Sequence, residues 1–432
     1  MLKRKFTGFL LDWRTKKKNE CLLIKGARQV GKTYIVEEFG KTQYKSFIKL
    51  NFYEHPEYSK IFEGTLSAEE IYKRMSLYIP EIKFIEKNTL IMLDEIQECP
   101  NARTAMKFLA IDSRYDVIAT GSLLGIQFKD ISSIPVGYER QITMHSLDFE
   151  EFLWALGVSE ESIAYLGEFY EKKEQIPEAV NGKILSYLRI YMAVGGMPEA
   201  VNEYIKTGNF GSVHEVQQKI LDSYKDDVLK YASNSEKPKI KACFESIPRQ
   251  LAKENTKFQY SVVKKGDTAK KYSGSIDWIV SANIADKIHN VSLPVLPLSA
   301  YEREEQFKIY VHDIGLLIAM YGFEMKAAVV DDTLTGPAKG GIYENLIHTM
   351  LARRGYKPSY FHADNNSQEI EFLVEKNGSV IPIEVKSHRG TTVSLNTFID
   401  TFNPPYAYKL ITGNIGIFEK KITLPLYMAM FI

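Results

Sequence analysis

One motif restricts the fold of this chain more than any other: the phosphate-binding loop G-x-x-x-x-G-K-[ST], which here follows the apolar stretch 21–24. Its glycines allow successive backbone N–H groups to surround phosphate oxygens at a helix N-terminus, where the peptide dipoles favour anionic charge. We expect the loop to bind a nucleotide, with Lys32 on the outer phosphates and Thr33 on Mg²⁺. The loop residues are Gly26, Ala27, Arg28, Gln29, Val30, Gly31, Lys32 and Thr33.

Three further apolar runs are typical of buried strands, and the stretches between them are long enough for helices. This alternation predicts an α/β fold with a parallel sheet covered on both faces. The runs are residues 46–52, 89–93 and 116–119.

Two acids, Asp94 and Glu95, directly follow the run 89–93. They therefore lie at the carboxyl edge of the predicted sheet, where doubly wound folds bind ligands. Asp94 is expected to hold Mg²⁺, and Glu95 to polarise the attacking water as the general base. A solvated strand end is the alternative interpretation of such a pair.

Polar side chains also follow the run 116–119, at Thr120 and Ser122. Either hydroxyl would be placed to orient the attacking water or to contact the γ-phosphate from the neighbouring strand. A Thr-Gly-Ser turn that only closes the strand is the alternative.

These motifs resemble those of AAA-type ATPases of the ASCE P-loop class, found in bacteria and archaea, that carry a C-terminal restriction-endonuclease-like domain of unknown function. The segments Leu147-Asp148-Phe149-Glu150-Glu151-Phe152-Leu153 and Gly195-Gly196-Met197-Pro198 extend the resemblance over essentially the whole chain. The resemblance implies ATP hydrolysis with Mg²⁺. It also implies four segments: an α/β P-loop ATPase core with a parallel sheet (1–158), a helical lid (159–235), a winged-helix segment (236–325) and a PD-(D/E)XK nuclease-like α/β domain (326–432).

Members of the family usually show a Gly-Arg pair shortly before the segment 147–153, an attractive position for an arginine finger that acts on a neighbouring subunit's nucleotide. In this chain the arginine is displaced by two residues, to Arg140. Arg140 is the candidate finger, and a solvated surface arginine is the alternative. A homo-oligomeric ring is expected only if Arg140 acts as such a finger.

A lysine-rich stretch, residues 264–272, precedes the amphipathic run 275–282 within the implied winged helix. Such an arrangement would bring lysines to DNA phosphates ahead of the helix that enters the groove. Simple solvation of the lysines is the alternative.

Near the C-terminus, two apolar-rich runs are joined by Asn377-Gly378, a strong hairpin signal. With Glu344 on a preceding helix, they resemble the PD-(D/E)XK nuclease pattern. The resemblance implies that Glu344, Glu371 and Glu384 bind Mg²⁺ or Mn²⁺ and that Lys386 activates water. The first acid is usually aspartate, and its replacement by Glu371 moves the carboxylate by about 1 Å, a misplacement that can lower a rate about 10²-fold. A degenerate, DNA-binding or purely structural domain is therefore the rival interpretation.

Composition adds little to these motifs. The 55 Lys and Arg nearly balance the 54 Asp and Glu, and the three cysteines are scattered, so no global charge or disulfide framework indicates a partner or an oxidising compartment. No apolar run approaches the ~20 residues of a membrane span, so a cytoplasmic protein without a membrane partner is expected. The leading hypothesis is an ATP-hydrolysing, DNA-associated protein. The alternative is a nucleotide-controlled switch, binding ATP and ADP, whose C-terminal domain is catalytically inactive.

Overall fold

A computed structural model describes residues 2–122, 137–266, 269–363, 368–386 and 392–432, with only the backbone described for Lys270. The chain folds into two units, one formed mainly by residues 4–146 and the other mainly by residues 147–280 and 284–432. The four-segment division expected from the sequence stays a prediction.

The N-terminal unit has five parallel strands in the order β2-β3-β4-β1-β5, which confirms the predicted parallel α/β sheet. Strand β3 is buried along its whole length, as expected for a sheet with both faces covered. The helices are α1 (Lys5–Lys16), α2 (Lys32–Gln43), α3 (Ala68–Tyr78) and α4 (Pro100–Asp112), and the strands are β1 (Cys21–Lys25), β2 (Ser46–Asn51), β3 (Thr89–Asp94), β4 (Asp116–Gly121) and β5 (Glu139–Thr143).

The order of these strands positions the site. Strand β4 lies between β1, which leads into the phosphate-binding loop, and β3, which ends in Asp94. All three strands run parallel, so their carboxyl ends meet at one edge of the sheet. Strand β2 pairs in register with β3, with Asn51 opposite Asp94.

The C-terminal unit begins with a helical segment and ends in a mixed eight-stranded sheet of order β12-β13-β11-β10-β9-β8-β6-β7. Its helices are α5 (Phe149–Ala155), α6 (Glu160–Lys172), α7 (Glu178–Val194), α8 (Pro198–Thr207), α9 (Phe210–Tyr231), α10 (Lys237–Leu251), α11 (Tyr260–Val263), α12 (Ala269–Ser281), α13 (Ile314–Tyr321), α14 (Phe323–Val330), α15 (Pro337–Arg353) and α16 (Val393–Phe402). Its strands are β6 (Ala285–Val291), β7 (Glu302–Val311), β8 (Ser359–His362), β9 (Glu369–Lys376), β10 (Ser379–Val385), β11 (Ala407–Ile411), β12 (Gly416–Phe418) and β13 (Lys421–Pro425).

Helices α10, α11 and α12 are followed by the antiparallel pair β6–β7. Strand β6 also pairs in parallel with β8, which in turn pairs with β9. The β6–β7 hairpin is therefore part of the same sheet as the β9–β10 hairpin predicted from Asn377-Gly378.

The Gly195-Gly196 break ends helix α7 at a close backbone contact. A Cβ on Gly196 would lie 1.9 Å from the carbonyl oxygen of Leu147, so only glycine fits. The Gly196 N–H donates to Asp313 Oδ2 at 2.8 Å, and its carbonyl accepts the Leu147 N–H at 2.7 Å. The two segments that extended the family resemblance, 147–153 and 195–198, therefore meet in one packed junction.

Among the described residues, no helix combines the length and the apolar character needed to cross a membrane.

Candidate functional site

The phosphate-binding loop has the backbone that its sequence predicts. A Cβ on Gly26 would lie 2.2 Å from the carbonyl oxygen of Met144, so the first loop position must be glycine. Gln29 and Gly31 both have positive φ, at 63° and 95°, and helix α2 begins at Lys32. Left-handed residues within a loop turn backbone N–H groups into a shared concavity that suits an anion.

The Lys32 side chain lies across this loop and is 7% exposed. Its ammonium donates to the carbonyl oxygens of Gly26 at 2.9 Å and Ala27 at 2.7 Å. The loop therefore holds a cation next to its backbone concavity, and this is the charge that an anionic phosphate needs.

Asp94 lies at the end of β3 and is 1% exposed. Its carboxylate accepts hydrogen bonds from the hydroxyls of Thr33, at 3.0 Å, and Thr120, and from the Asn51 amide at 3.2 Å. The Lys49 ammonium is 3.7 Å away. Burial raises the pKa of Asp94 and Glu95 adds to this, against the Thr120 hydrogen bond and the Lys49 charge.

Thr33 and Asp94 fit a magnesium ion by the chemistry of their donor atoms. A hydroxyl and a carboxylate are hard oxygen ligands, which Mg²⁺ prefers, and here they lie within hydrogen-bonding distance of each other.

Glu95 has a left-handed backbone, with φ 53° and ψ 49°. This conformation is uncommon for a residue other than glycine, and such strain concentrates at functional sites. The half-buried Glu95 carboxylate accepts a 2.5 Å hydrogen bond from the Gln97 amide. The strain and the fixed carboxylate coincide at the residue predicted to be the general base.

The two hydroxyls predicted after β4 have different environments. The Thr120 hydroxyl donates a hydrogen bond to the Asp94 carboxylate and helps to hold it in place. The Ser122 hydroxyl is buried and has no hydrogen-bond partner among the described residues, which stop there and resume at residue 137.

The structure does not bring Arg140 to this edge. Arg140 lies near the start of β5, opposite Leu22, three residues before the pair Lys25 and Thr143 at the carboxyl end. At about 3.3 Å per residue, this is about 10 Å from the edge where the loop begins. Its half-exposed guanidinium lies 4.0 Å from Glu20 and over the ring of Phe9.

In the C-terminal unit, the β9–β10 hairpin brings Glu371, Glu384 and Lys386 together, as its sequence predicts. The Lys386 ammonium lies 3.0 Å from Glu371 and 3.5 Å from Glu384. The other oxygen of Glu371 accepts the Val385 N–H at 3.2 Å. The Oε2 atom of Glu384 is buried and has no partner among the described residues.

Glu344 from α15 is held by different partners. One oxygen accepts from the Lys308 ammonium at 3.1 Å, the Tyr310 hydroxyl at 2.8 Å and the Thr256 hydroxyl at 3.0 Å. Lys308 is completely buried, and its ammonium also lies 2.6 Å from Glu369. Four glutamates and two lysines therefore form one carboxylate cluster: Glu344, Glu369, Glu371, Glu384, Lys308 and Lys386.

Opposing effects set the protonation of this carboxylate cluster. Burial disfavours the charged forms of Lys308 and Lys386, but the glutamates outweigh it and raise both pKa values. Burial raises the pKa of Glu371 to about 7, with Glu344 and Glu384 adding to the shift and Lys386 opposing it. Burial also raises the pKa of Glu384. The cost of burying a charged carboxylate therefore falls mainly on Glu371 and Glu384.

The carboxylate cluster gives partial support to a metal site. The unpartnered Glu384 oxygen beside Glu371 fits a divalent cation, whereas Glu344 already pairs with Lys308. Within the described ranges, no three side chains of His, Cys, Asp or Glu form a group able to hold a metal ion.

Three family models match separate parts of the chain. Residues 18–153 match an AAA domain. The chain carries an AAA-type P-loop ATPase domain. Residues 185–327 match a domain of unknown function, DUF8612, and residues 339–426 match a second one, DUF4143. The AAA-type domain expected from the sequence is therefore confirmed, and the two C-terminal matches carry no assigned chemistry.

No curated protein matches the chain. Among solved structures it is similar to the Walker-type ATPase PABY2304 of Pyrococcus abyssi, with 15% identity and a TM-score of 0.45 over 74% of this chain and 96% of that chain. It is also similar to Cdc6p from Pyrobaculum aerophilum (11% identity, TM-score 0.26, 76% and 93% covered) and to AMPPCP-bound DnaA from Aquifex aeolicus (11%, 0.30, 64% and 87%).

The lysine-rich stretch is described only in part. Lys264 and Lys265 are exposed ahead of α12 in the C-terminal unit, whereas Asp267, Thr268 and the side chain of Lys270 lie outside the described residues.

Sequence reasoning missed three residues of these sites. Asn51 and Lys49, which approach Asp94 in the AAA domain, lie on β2, and the pairing of β2 with β3 is not evident from the sequence. Lys308 stands alone between apolar residues in Phe-Lys-Ile-Tyr-Val, and a lone lysine in a buried strand is a signal that it has acidic partners.

Proposed function

We propose that the AAA domain binds ATP with Mg²⁺ and hydrolyses it. The observation that carries this proposal is the contact of Thr33, from the loop, and Thr120, from β4, with the buried carboxylate of Asp94 at the end of β3. Three separate segments thus converge at the edge of the sheet where the phosphate-binding loop begins.

Each residue has a role in this proposal. Lys32 binds the outer phosphates, and Thr33 with Asp94 holds Mg²⁺, which when bound neutralises charge on the β- and γ-phosphates. Glu95 accepts the proton of the attacking water. Thr120 keeps the Asp94 carboxylate in place, and Ser122 is available to contact the γ-phosphate. Arg140 keeps a role only as a residue acting on a neighbouring copy.

Two substitutions test the assignment by separating binding from turnover. Lys32→Ala should lose nucleotide affinity, whereas Glu95→Gln should keep it and lower ATP turnover at least about 10²-fold, since proton transfer to a positioned base contributes about 10²–10⁴. The matched control is Glu86→Gln, an exposed glutamate of the same unit. Unchanged turnover in Glu95→Gln would remove Glu95 as the base.

We also propose that the C-terminal unit binds DNA. Three helices, α10 to α12, followed by the β6–β7 hairpin support a winged-helix interpretation, and exposed Lys264 and Lys265 precede α12. Lysines at this position would contact backbone phosphates.

The test of DNA binding is the double variant Lys264→Gln/Lys265→Gln, measured by titration of labelled duplex at several salt concentrations. Binding should weaken uniformly across sequences, and the slope of log affinity against log salt should fall by about 2. Lys206→Gln/Lys219→Gln, an exposed pair of the same unit, is the control. An unchanged slope would exclude these lysines from the interface.

The carboxylate cluster supports a second candidate function, metal-dependent cleavage of DNA. The favouring observation is the convergence of Glu371, Glu384 and Lys386 around an unpartnered carboxylate oxygen. Its rival is a catalytically inactive C-terminal domain that responds to the nucleotide, favoured by the two lysines that already pair with the four glutamates.

Cleavage of labelled duplex, single-stranded and branched DNA with Mg²⁺ or Mn²⁺ decides between these two. Cutting that disappears in Lys386→Ala and persists in Lys357→Ala, an exposed lysine of the same region, would establish the nuclease. ATP turnover without cutting under any condition would establish the inactive domain.

A further inference from the structure

A small polar cavity lies beside the carboxylate cluster and has no role in either proposed activity. Its volume is about 90 Å³, several times the roughly 10–15 Å³ that a single water needs. It can therefore hold a group of several heavy atoms. The described residues that line it are Asn255, Lys257, Gln306, Tyr360, His362 and Glu369.

Hydrogen bonds outside the cavity determine which end of Gln306 is left for a ligand. Asn290 is completely buried and is oriented by the His362 backbone, since its Oδ1 accepts the His362 N–H at 2.9 Å. The Asn290 amide nitrogen then donates to Gln306 Oε1 at 2.8 Å. The Gln306 oxygen is thus used, and its NH₂ group remains as a donor.

The same argument applies to Asn255, whose Oδ1 accepts the Lys257 N–H at 3.0 Å. Its NH₂ group is left to donate, and the half-buried Lys257 lines the same cavity. Both amides on the cavity wall therefore present donors, and Lys257 adds a positive charge.

Tyr360 supplies the observation that points to a missing partner. The residue is 1% exposed, and its hydroxyl is buried without a hydrogen-bond partner among the described residues. A buried polar group without a partner is unfavourable, and such groups in native structures normally bind something. A ligand oxygen in the cavity would satisfy this hydroxyl.

The single acid among the lining residues already has a cationic partner. Glu369 contacts the Lys308 ammonium at 2.6 Å, and it shares this ammonium with Glu344. Burial acts to raise the pKa of Glu369, but Lys308 outweighs it and lowers the pKa, so the glutamate stays charged and paired.

We propose that this cavity binds a phosphate group, held by the Lys257 ammonium, the Asn255 and Gln306 amides and the Tyr360 hydroxyl. Donors from a loop and from strands β7 and β8 surround the space, and a tetrahedral oxyanion has oxygens that face several directions. The group is carried either by the end of a nucleic-acid strand or by a small phosphate. The proposal needs neither ATP hydrolysis nor DNA cleavage, so its failure leaves the proposed function unaffected.

Calorimetric titration of the full chain with inorganic phosphate tests the proposal. The phosphate-binding loop would also bind phosphate, so every protein that is titrated also carries Lys32→Ala. Tyr360→Phe and Lys257→Gln should each weaken phosphate binding about tenfold, and Gln306→Glu should abolish it because a carboxylate repels the anion. Lys253→Gln, an adjacent lysine bonded to Gln259, should bind as before.

Titration with 5′-phosphorylated and 5′-hydroxyl oligonucleotides identifies the source. Tighter binding of the phosphorylated strand, lost in Tyr360→Phe, assigns the cavity to strand ends, whereas binding of inorganic phosphate with no preference between strands assigns it to a small phosphate. Far-UV circular dichroism checks that each variant is folded. The proposal is overturned if no phosphate binds at about 10 mM, which is above the ~1 mM range of weak binding. It is also overturned if phosphate binds equally well to folded Tyr360→Phe and Lys257→Gln.

Discussion

The buried acids of the two units are stabilised in different ways. In the AAA domain, the hydrogen-bond partners of Asp94 are neutral donors, namely the hydroxyls of Thr33 and Thr120 and the Asn51 amide. The Lys49 ammonium is 3.7 Å away. In the carboxylate cluster, Lys308 and Lys386 contact four glutamates at 2.6–3.5 Å.

The difference shows what each site is built to accept. Neutral donors hold Asp94 in place without cancelling its charge, so the charge remains available to a cation that arrives with the nucleotide. The carboxylate cluster contains its own cations, and a metal would have to compete with covalently tethered ammonium groups. A buried carboxylate thus indicates a ligand site in one unit and a largely self-contained ion network in the other.

Removing the internal cation should give the largest effect on stability. Lys308→Met leaves the largely buried Glu344 and Glu369 without the cation that they share, and breaking a buried pair in this way costs about 3–5 kcal/mol. The free energy of unfolding in urea measures the loss. The control is Lys287→Met on β6, whose partner Asp277 is exposed and whose ion pair is worth about 0–1 kcal/mol. A loss below about 1 kcal/mol for Lys308→Met would mean that the cluster is not held by this lysine.

Removing the acid of the AAA domain should act on turnover and leave the fold intact. Asp94→Asn should lower ATP turnover about 10²–10³-fold, comparable to the loss of one electrostatic contact in a catalytic site. An asparagine can still accept the hydroxyls of Thr33 and Thr120 but not the Asn51 amide. The lost hydrogen bond costs about 1–3 kcal/mol, and removal of a buried charge offsets it, so the unfolding free energy should change little. Asp112→Asn, which loses a surface contact to Arg114, should keep full turnover. A large loss of stability in Asp94→Asn would mean that the charge of Asp94 stabilises the fold and is not reserved for a ligand.

A smaller effect is expected from the neutral donors. Thr120→Val keeps the shape of the side chain and removes the hydroxyl that donates to Asp94. One lost hydrogen bond to a charged group is worth about 1.5–3 kcal/mol, so turnover should fall roughly 10- to 100-fold. Glu371→Gln in the other unit is the comparison, and its turnover should equal that of the unaltered chain. Equal turnover in Thr120→Val would show that Asp94 does not need this donor.

The buried Lys326 extends the comparison. Lys326 donates to the carbonyl oxygen of Ala193 and to Gln217, both neutral, and burial lowers its pKa to about 7 despite the charge of Asp313. Between pH 7 and about 10.5 the unfolded chain therefore binds more protons than the folded chain, so this lysine makes the unfolding free energy rise with pH.

Lys326→Met tests this, because it removes the titrating group. The difference in unfolding free energy between Lys326→Met and the unaltered chain should shift in favour of the unaltered chain as pH rises, by about 1 kcal/mol per pH unit within that window. Lys219→Met, at an exposed position of α9, should show no such trend. A difference that does not change with pH would mean that the folded chain buries a charged ammonium.

Much of the AAA site was predictable because its signals are local. The loop, the acids after β3 and the hydroxyls after β4 each follow an apolar run, and parallel strands bring such ends together. Asn51 and Lys308 were not predictable in this way. Asn51 contacts Asp94 only because β2 pairs with β3. Lys308 and Glu344 are in contact although they are 36 positions apart in the sequence. Arg140 lies far from the edge because parallel pairing places the start of β5 beside the start of β1.

The pairing of β6 with both β7 and β8 has a consequence for dissecting the chain. A fragment of residues 236–325 would keep the three helices and the β6–β7 hairpin but would uncover the side of β6 that β8 protects. An uncovered strand edge is a template for pairing with other chains, so such a fragment should aggregate. A cut near residue 147, where one unit gives way to the other, leaves the eight-stranded sheet whole. The helices that precede this sheet are therefore best expressed together with it.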